Sequence, residues 1–334
     1  MKLVTSGRLA ALGLVLLAVV LGAYLLPSSE YVFLPDKAHP VTPLVRVPGG
    51  REPAHGGIYF VDVVVRKASL LERLFGGLHQ GADLYPASAV NPPGVGDAQR
   101  RRIDLQDMRQ SQQVAAAVAL RAAGRRVVLQ SVGAQVAEVE PGEPAVGKLE
   151  PDDVIVAIDG TRVRSPGDVF TIMRTRRPGD VVRFTIHRAA RTLVESIRAV
   201  VSPTPPRRAI IGVLLVPALD IHLPERISID AGGVGGPSAG LAFALDVYQQ
   251  LGHDVVHGHK IAVTGEIFAD GSVGPIGGVK QKTYGACEAG VDAFLVPAGE
   301  NAAEARKHAG GLRIIPVKSF QQALHALATA FPGA

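Results

Sequence analysis

The chain has 334 residues, 47% of them hydrophobic, with a formal net charge of +5 and a single cysteine. That apolar share excludes a disordered chain. The mild charge, with no dense basic stripe, argues against a nucleic-acid partner, and one cysteine excludes an intrachain disulfide.

The first predicted element is an uncharged run from Leu9 to Leu26, about long enough to span a bilayer as a helix. Lys2 and Arg8 precede it, which predicts a single-pass membrane anchor with a cytoplasmic N-terminus and the bulk of the chain outside the cytoplasm. A cleaved signal peptide is the rival reading, although Leu25-Leu26-Pro27 is a poor cleavage site. Residues 56–65, Gly-Gly-Ile-Tyr-Phe-Val-Asp-Val-Val-Val, read as a buried strand. Gly77 to Gln99 is rich in Gly, Pro and Asn and reads as a surface loop. Gln106 to Leu120 reads as a helix. Val127–Val132 and Gln135–Val139 read as strands, and the next hairpin turns at Asp159-Gly160. Ser165-Pro166 opens a helix through about Arg174, Pro178-Gly179-Asp180 is a turn, and Val181–His187 is a strand. Val201 to Arg208 is a proline-rich, stiff linker.

The chemistry concentrates further on. Gly232 to Gly240 reads Gly-Gly-Val-Gly-Gly-Pro-Ser-Ala-Gly, and Leu241, Leu245, Tyr248 and Leu251 then recur at helical spacing. Ser238 therefore sits at the start of an amphipathic helix, with Pro237 suited to its first turn. Amides of this turn, at Gly235, Gly236 and Ala239, are candidate donors to an oxyanion; a plain strand–turn–helix corner or a weak anion site is the plainer alternative. Serine needs a base, and a buried lysine is one because burial disfavours its charged form. Gly274 to Lys282 supplies Lys280 and Lys282. Val279, Lys282, Ala286 and Ala289 fall on one helical stripe, so Lys282 points inward and Lys280 is the fallback. Between the two segments, Lys260–Gly274 reads as a strand and a hairpin turning at Asp270-Gly271, with Thr264 placed to hold the lysine amine or to satisfy local backbone. His253, His257 and His259 have metal-like spacing but lie in a loop, and no metal is assigned. Cys287 falls mid-helix and reads as packing.

Gly236–Gly240, Thr264–Glu266 and Pro275–Lys282 stand in the order of the Gly-Pro-Ser-Ala-Gly, Thr-Gly-Glu and Pro-Ile-Gly-Gly-(Leu/Val)-Lys-x-Lys motifs that the chain shares with the proteolytic domain of the Lon family, which it resembles. The resemblance implies a Ser238–Lys282 dyad, a threonine like Thr264 lining the site, and a ring-like homo-oligomer. Many members carry an acidic residue two before the motif's proline; here that position is Gly235. No Gly-x-x-x-x-Gly-Lys-(Ser/Thr) run is present, so neither nucleotide nor other cofactor is assigned. The strand at 56–65 and the helix at 106–120 resemble early elements of the same domain.

Leu149-Glu-Pro-Asp-Asp-Val-Ile followed by Ile158-Asp-Gly is similar to the Leu-x-x-Gly-Asp-x-Ile…Asn-Gly signature of bacterial PDZ domains, with Asp152 in place of the usual glycine. That resemblance implies peptide binding between the Gln135–Val139 strand and the Ser165–Arg174 helix, contacting Gln135 and Val136, with Gln130-Ser131-Val132-Gly133 as the carboxylate loop. The expected fold is α+β: a Lon-type proteolytic domain with an inserted PDZ-like, β-rich domain, behind one N-terminal transmembrane helix. Its expected parts are an anchor at 1–30 (helix 9–26), the first half of the proteolytic domain at 31–126, a PDZ domain at 127–200, a linker at 201–208 and the catalytic portion at 209–332. The closest likeness is to membrane-anchored bacterial PDZ–Lon-like proteases. The expected function is an ATP-independent serine endopeptidase acting on unfolded or C-terminal peptide segments; a PDZ adaptor or holdase with a dormant Lon-like domain is the alternative.

Overall fold

A computed structural model describes residues 6–91, 96–203 and 207–332, with side chains from residue 11. Lys2, the Arg8 side chain, residues 92–95 of the expected loop and 204–206 of the expected linker lie outside the described residues. The chain forms two compact units. One runs through Arg125 and resumes at Glu225; the other is Arg126–Pro224, so the second interrupts the first in sequence.

The first unit begins with helix α1 (Ser6–Leu25), whose residues Leu12, Leu16 and Leu25 are exposed. Among the described residues no helix is long and apolar enough to cross a membrane. The run expected as an anchor at 9–26 falls in α1 up to Leu25. Strands β1 (Pro27–Pro40), β2 (Gly57–Ser69) and β3 (Asp83–Pro86) follow, then the long helix α2 (Asp97–Ala122). Residues 58–65 are rich in β-branched and aromatic side chains, β2 lies inside the sheet, and Ile58, Phe60 and Val61 are buried.

The second unit contains β4 (Val128–Val139), β5 (Val154–Ile158), helix α3 (Pro166–Met173), β6 (Val181–Arg188), β7 (Arg191–Arg198) and β8 (Val213–His222). Its sheet runs β8-β4-β5-β6-β7 around a core of Val136, Ile155, Ile158, Phe184 and Ile197. Ser165 caps α3 in a reciprocal box with Asp168. Asp152 has φ 74°, a left-handed conformation that aspartate tolerates, which is why a residue other than glycine stands at that signature position.

Residues 127–139, expected as two strands with a carboxylate loop between them, form the single strand β4. One edge is covered by β8, which pairs along it from Val128 to Val139, and on the other Ala134 and Gln135 pair with β5. The segment at Gln130, Ser131, Val132 and Gly133 is thus ladder, not loop. Gln130 faces Asp220, Ser131 Oγ donates to Arg164 O, and a Cβ on Gly133 would lie 2.6 Å from Ile155 O. Gln135 Nε2 donates to Asp152 Oδ1, and Val136 is fully buried with its amide on Asp153 O. A peptide has no open edge at Gln135 or Val136.

The first unit resumes with α4 (Gly240–Gln250), β9 (Lys260–Val263), the ribbon β10 (Glu266–Ile267) and β11 (Val273–Gly274), α5 (Val279–Glu288), β12 (Ala293–Pro297), α6 (Glu300–His308), β13 (Arg313–Val317) and α7 (Phe320–Ala330). Its mixed sheet has the order β13-β12-β9-β2-β1-β3, parallel from β13 to β2 and antiparallel beyond. The helix α4 is not amphipathic as the Leu241/Leu245 spacing predicts: Leu241, Ala242, Phe243, Ala244, Leu245, Asp246 and Val247 are all buried, because α2, α7 and the sheet enclose it.

Two local features shape the sheet where it meets α5. Strand β9 pairs with β2 only from Gly57 to Phe60, so β2 runs on past it. A register shift between Pro35 and Ala38 bulges β1 toward α5. There a Cβ on Gly285 would lie 2.0 Å from Asp36 O, so only glycine lets α5 sit this close.

Candidate active site

Ser238 lies in a three-ten turn, Pro237–Ala239, that leads into α4. The turn is entered through Gly236 at φ 84°, a backbone conformation open to glycine. Ser238 O accepts from Gly265 N at 2.7 Å and from Thr264 Oγ1 at 3.2 Å, which fastens the three-ten turn to the end of β9. On the other side, Lys282 projects from the buried stripe of α5 with Val279 and Ala286. Its Nζ lies 2.6 Å from Ser238 Oγ and 3.3 Å from Thr264 Oγ1. Lys280 turns the opposite way and pairs with Asp83 Oδ1 at 2.7 Å, as expected of residues two apart on a helix.

Lys282 is 4% exposed. Burial pushes its amine down from 10.5 to about 8, and the Asp62 carboxylate partly opposes that shift. Asp62 on β2 is itself raised by burial and by Asp36, and lowered by His39 and Lys282. Its Oδ1 has no hydrogen-bond partner among the described residues, with His39 Nε2 3.6 Å away.

The glycines of the turn have distinct jobs. The Gly236 amide donates to Asp104 O of α2 at 2.7 Å, so it is not available to an oxyanion, contrary to the sequence expectation. Pro237 has no N–H, and Gly240 N donates back to Pro237 O. The i→i+3 pattern of a three-ten turn directs the Ala239 amide to Gly236 O. Ser238's own amide is the donor that remains between residues 236 and 240. At Gly235 a Cβ would lie 2.7 Å from Asp104 Cβ, so the acidic side chain of many relatives has no room there.

Ser238, Lys282, Asp62, Gly235 and Asp104 line one cavity of about 600 Å³. Asp62, Asp104 and Ser111 are site neighbours that the sequence did not single out; of these Ser111 lies in the helix at 106–120 that resembles an early element of the family's domain. Asp230, just before the glycine turn, accepts from Gly232 N at 2.9 Å. The three clustered histidines face separate partners: His253 stacks on Tyr248, His257 lies by Asp254, and His259 by Asp292. Cys287 packs its Sγ 3.2 Å from Ala309 O, and burial raises its thiol.

A serine at the head of a helix is thus in contact with a buried amine held below the usual lysine range. The model of the Lon protease (S16) C-terminal proteolytic domain matches residues 154–329, just over half of the chain, and the chain belongs to that family. A PDZ domain model matches residues 106–197. Lon protease 2 of Bacillus subtilis is 39% identical over 107 residues, covering 31% of this chain and 18% of that protein. A Lon protease of Azorhizobium caulinodans is 31% identical over 186 residues, covering 54% of this chain and 21% of that protein. The chain thus spans about a fifth of the length of these curated relatives. Among solved structures, the PDZ domain of an SdrC-like protein from Listeria monocytogenes matches 25% of this chain and 88% of its own, at 24% identity and a TM-score of 0.24.

Proposed function

We propose that the chain is a serine endopeptidase working through a Ser238–Lys282 dyad, and that residues 31–126 complete a proteolytic domain interrupted by the PDZ unit. The observation that carries the reading is the 2.6 Å contact between a buried amine and a hydroxyl at the head of a helix. Neutral Lys282 accepts the hydroxyl proton as Ser238 Oγ attacks the scissile carbonyl. Ser238 N–H, aimed by the turn, stabilises the oxyanion. Lys282 then protonates the leaving amine, and a water repeats the sequence in reverse to release the acyl group. Thr264 holds the amine in line. Independence from ATP is part of the same proposal.

Peptide capture by the PDZ unit belongs at β8 instead of β4. This strand is the sheet's edge, lies beside α3, and carries Pro217, a residue compatible with an edge position. Unfolded or C-terminal segments are the expected ligands. The exposed apolar residues of α1 support attachment to a membrane, and a site outside the cytoplasm and a ring-like assembly are part of the same proposal. Membrane fractionation, protease accessibility in whole cells and light scattering test those three features separately. The activity is tested with an unfolded protein substrate: wild-type protein cleaves it, while Ser238→Ala retains the fold and PDZ binding without cleavage. Unchanged cleavage by Ser238→Ala rejects the reading.

A further inference from the structure

Ser111 occupies the middle of α2, 4% exposed, and donates from Oγ to Pro237 O at 3.0 Å. Seven residues earlier on the same helix, Asp104 O receives the Gly236 amide. One helix thus grips the nucleophile turn at two consecutive residues. The packing is close enough that a Cβ on Gly240 would lie 2.4 Å from Ser111 Oγ.

The grip has a directional consequence. A peptide unit is planar and trans, so its carbonyl oxygen and its amide hydrogen point in opposite directions. Pro237 O and Ser238 N–H belong to the same unit. Drawing Pro237 O toward α2 turns Ser238 N–H away from α2. With Gly236 N already engaged by Asp104 and Pro237 lacking an N–H, that amide is the one the turn has left for an oxyanion.

We infer that Ser111 is a positioning residue for catalysis: its hydroxyl holds the Pro237–Ser238 peptide in the orientation that aims the Ser238 amide at the developing oxyanion. The inference rests on the Ser238–Lys282 reading and deepens it. A serine that merely satisfies a buried carbonyl predicts lost stability on removal. A serine that aims the amide predicts lost transition-state binding with ground-state binding unchanged.

The test compares wild type, Ser111→Ala, Ser111→Cys and Ser238→Ala on a capped fluorogenic peptide, together with the affinity of a peptide aldehyde, which forms a tetrahedral adduct. Removing an oxyanion donor outright costs about 10²–10³ in kcat; misdirecting one should cost about 10–100-fold. Ser111→Ala should therefore lose about 10–100-fold in kcat with KM within about twofold, lose aldehyde affinity by a similar factor, and keep the midpoint of its pH–rate curve, since Lys282 is untouched. Ser111→Cys, a weaker donor, should fall between the two. If Ser111→Ala melts below the assay temperature, the Ser111→Cys ratio of aldehyde to substrate affinity decides the matter alone. Wild-type kcat and aldehyde affinity in a folded Ser111→Ala overturn the inference while leaving the dyad standing. Activity that survives Ser238→Ala overturns both.

Discussion

A buried lysine base makes the rate a titration curve. With the Lys282 amine at about 8, about one molecule in ten carries it neutral at pH 7 and about nine in ten at pH 9. An ordinary lysine near 10.4 is neutral in fewer than about one in a thousand molecules at pH 7, so burial enriches the competent form by roughly two orders of magnitude. The perturbation is a pH series from 6 to 10 on a capped, uncharged fluorogenic peptide, with kcat/KM reporting the free enzyme. The rate should rise about tenfold between pH 7 and pH 9 and level above that. The same shift enters stability. The unfolded chain holds this proton more tightly than the folded one, so burying the charged Lys282 amine costs folding about 3 kcal/mol below pH 8, and the cost fades as pH rises from 8 to 10.5. In Lys282→Met the cost is absent, against about 1–3 kcal/mol for the hydroxyls left unpaired. The variant's stability relative to wild type must therefore be higher at pH 7 than at pH 10, whatever its sign. A flat or falling rate between pH 7 and pH 9 refutes the neutral-amine mechanism.

Asp62→Asn removes the carboxylate that opposes the depression of Lys282, so the midpoint of the pH–rate curve should move to lower pH; a move upward contradicts the assignment. Thr264→Val removes one of the two hydroxyls on the amine and the bond to Ser238 O, and kcat should fall by about tenfold with a modest loss of Tm, since each such bond is worth about 1 kcal/mol. Gly285→Ala drives a methyl to 2.0 Å from Asp36 O, an overlap with backbone that costs about 1–3 kcal/mol or more by thermal melting. A proline at Leu215 on the edge strand β8 should abolish C-terminal peptide binding, read by fluorescence anisotropy, while basal cleavage of a short peptide persists.

How much of this was legible depended on how local the physics is. Lys282 was readable because a helical stripe is a property of neighbouring residues, and Val279, Lys282 and Ala286 are indeed buried together. The turns at Asp159-Gly160 and Asp270-Gly271 followed from local backbone chemistry, and each joins a short antiparallel pair. The covering of β4 by β8 was not legible because strand pairing is not local. Val139 pairs with Val213, and nothing within residues 128–139 reveals that a distant segment covers that edge. The buried α4 was misread for a related reason: Leu241, Leu245 and Tyr248 form a stripe, but Ala242, Ala244 and Val247 fill the other faces against α2 and the sheet. The engaged Gly236 amide and the crowded Gly235 depend on Asp104, a residue on an element far upstream.

The central claim is best tested by mass spectrometry of the protein after brief exposure to a peptidyl β-lactone, which acylates an activated serine. The account predicts a single adduct on Ser238 that forms at least about a hundredfold more slowly in Lys282→Met. An adduct on another residue, or equal acylation rates in the two proteins, would contradict it.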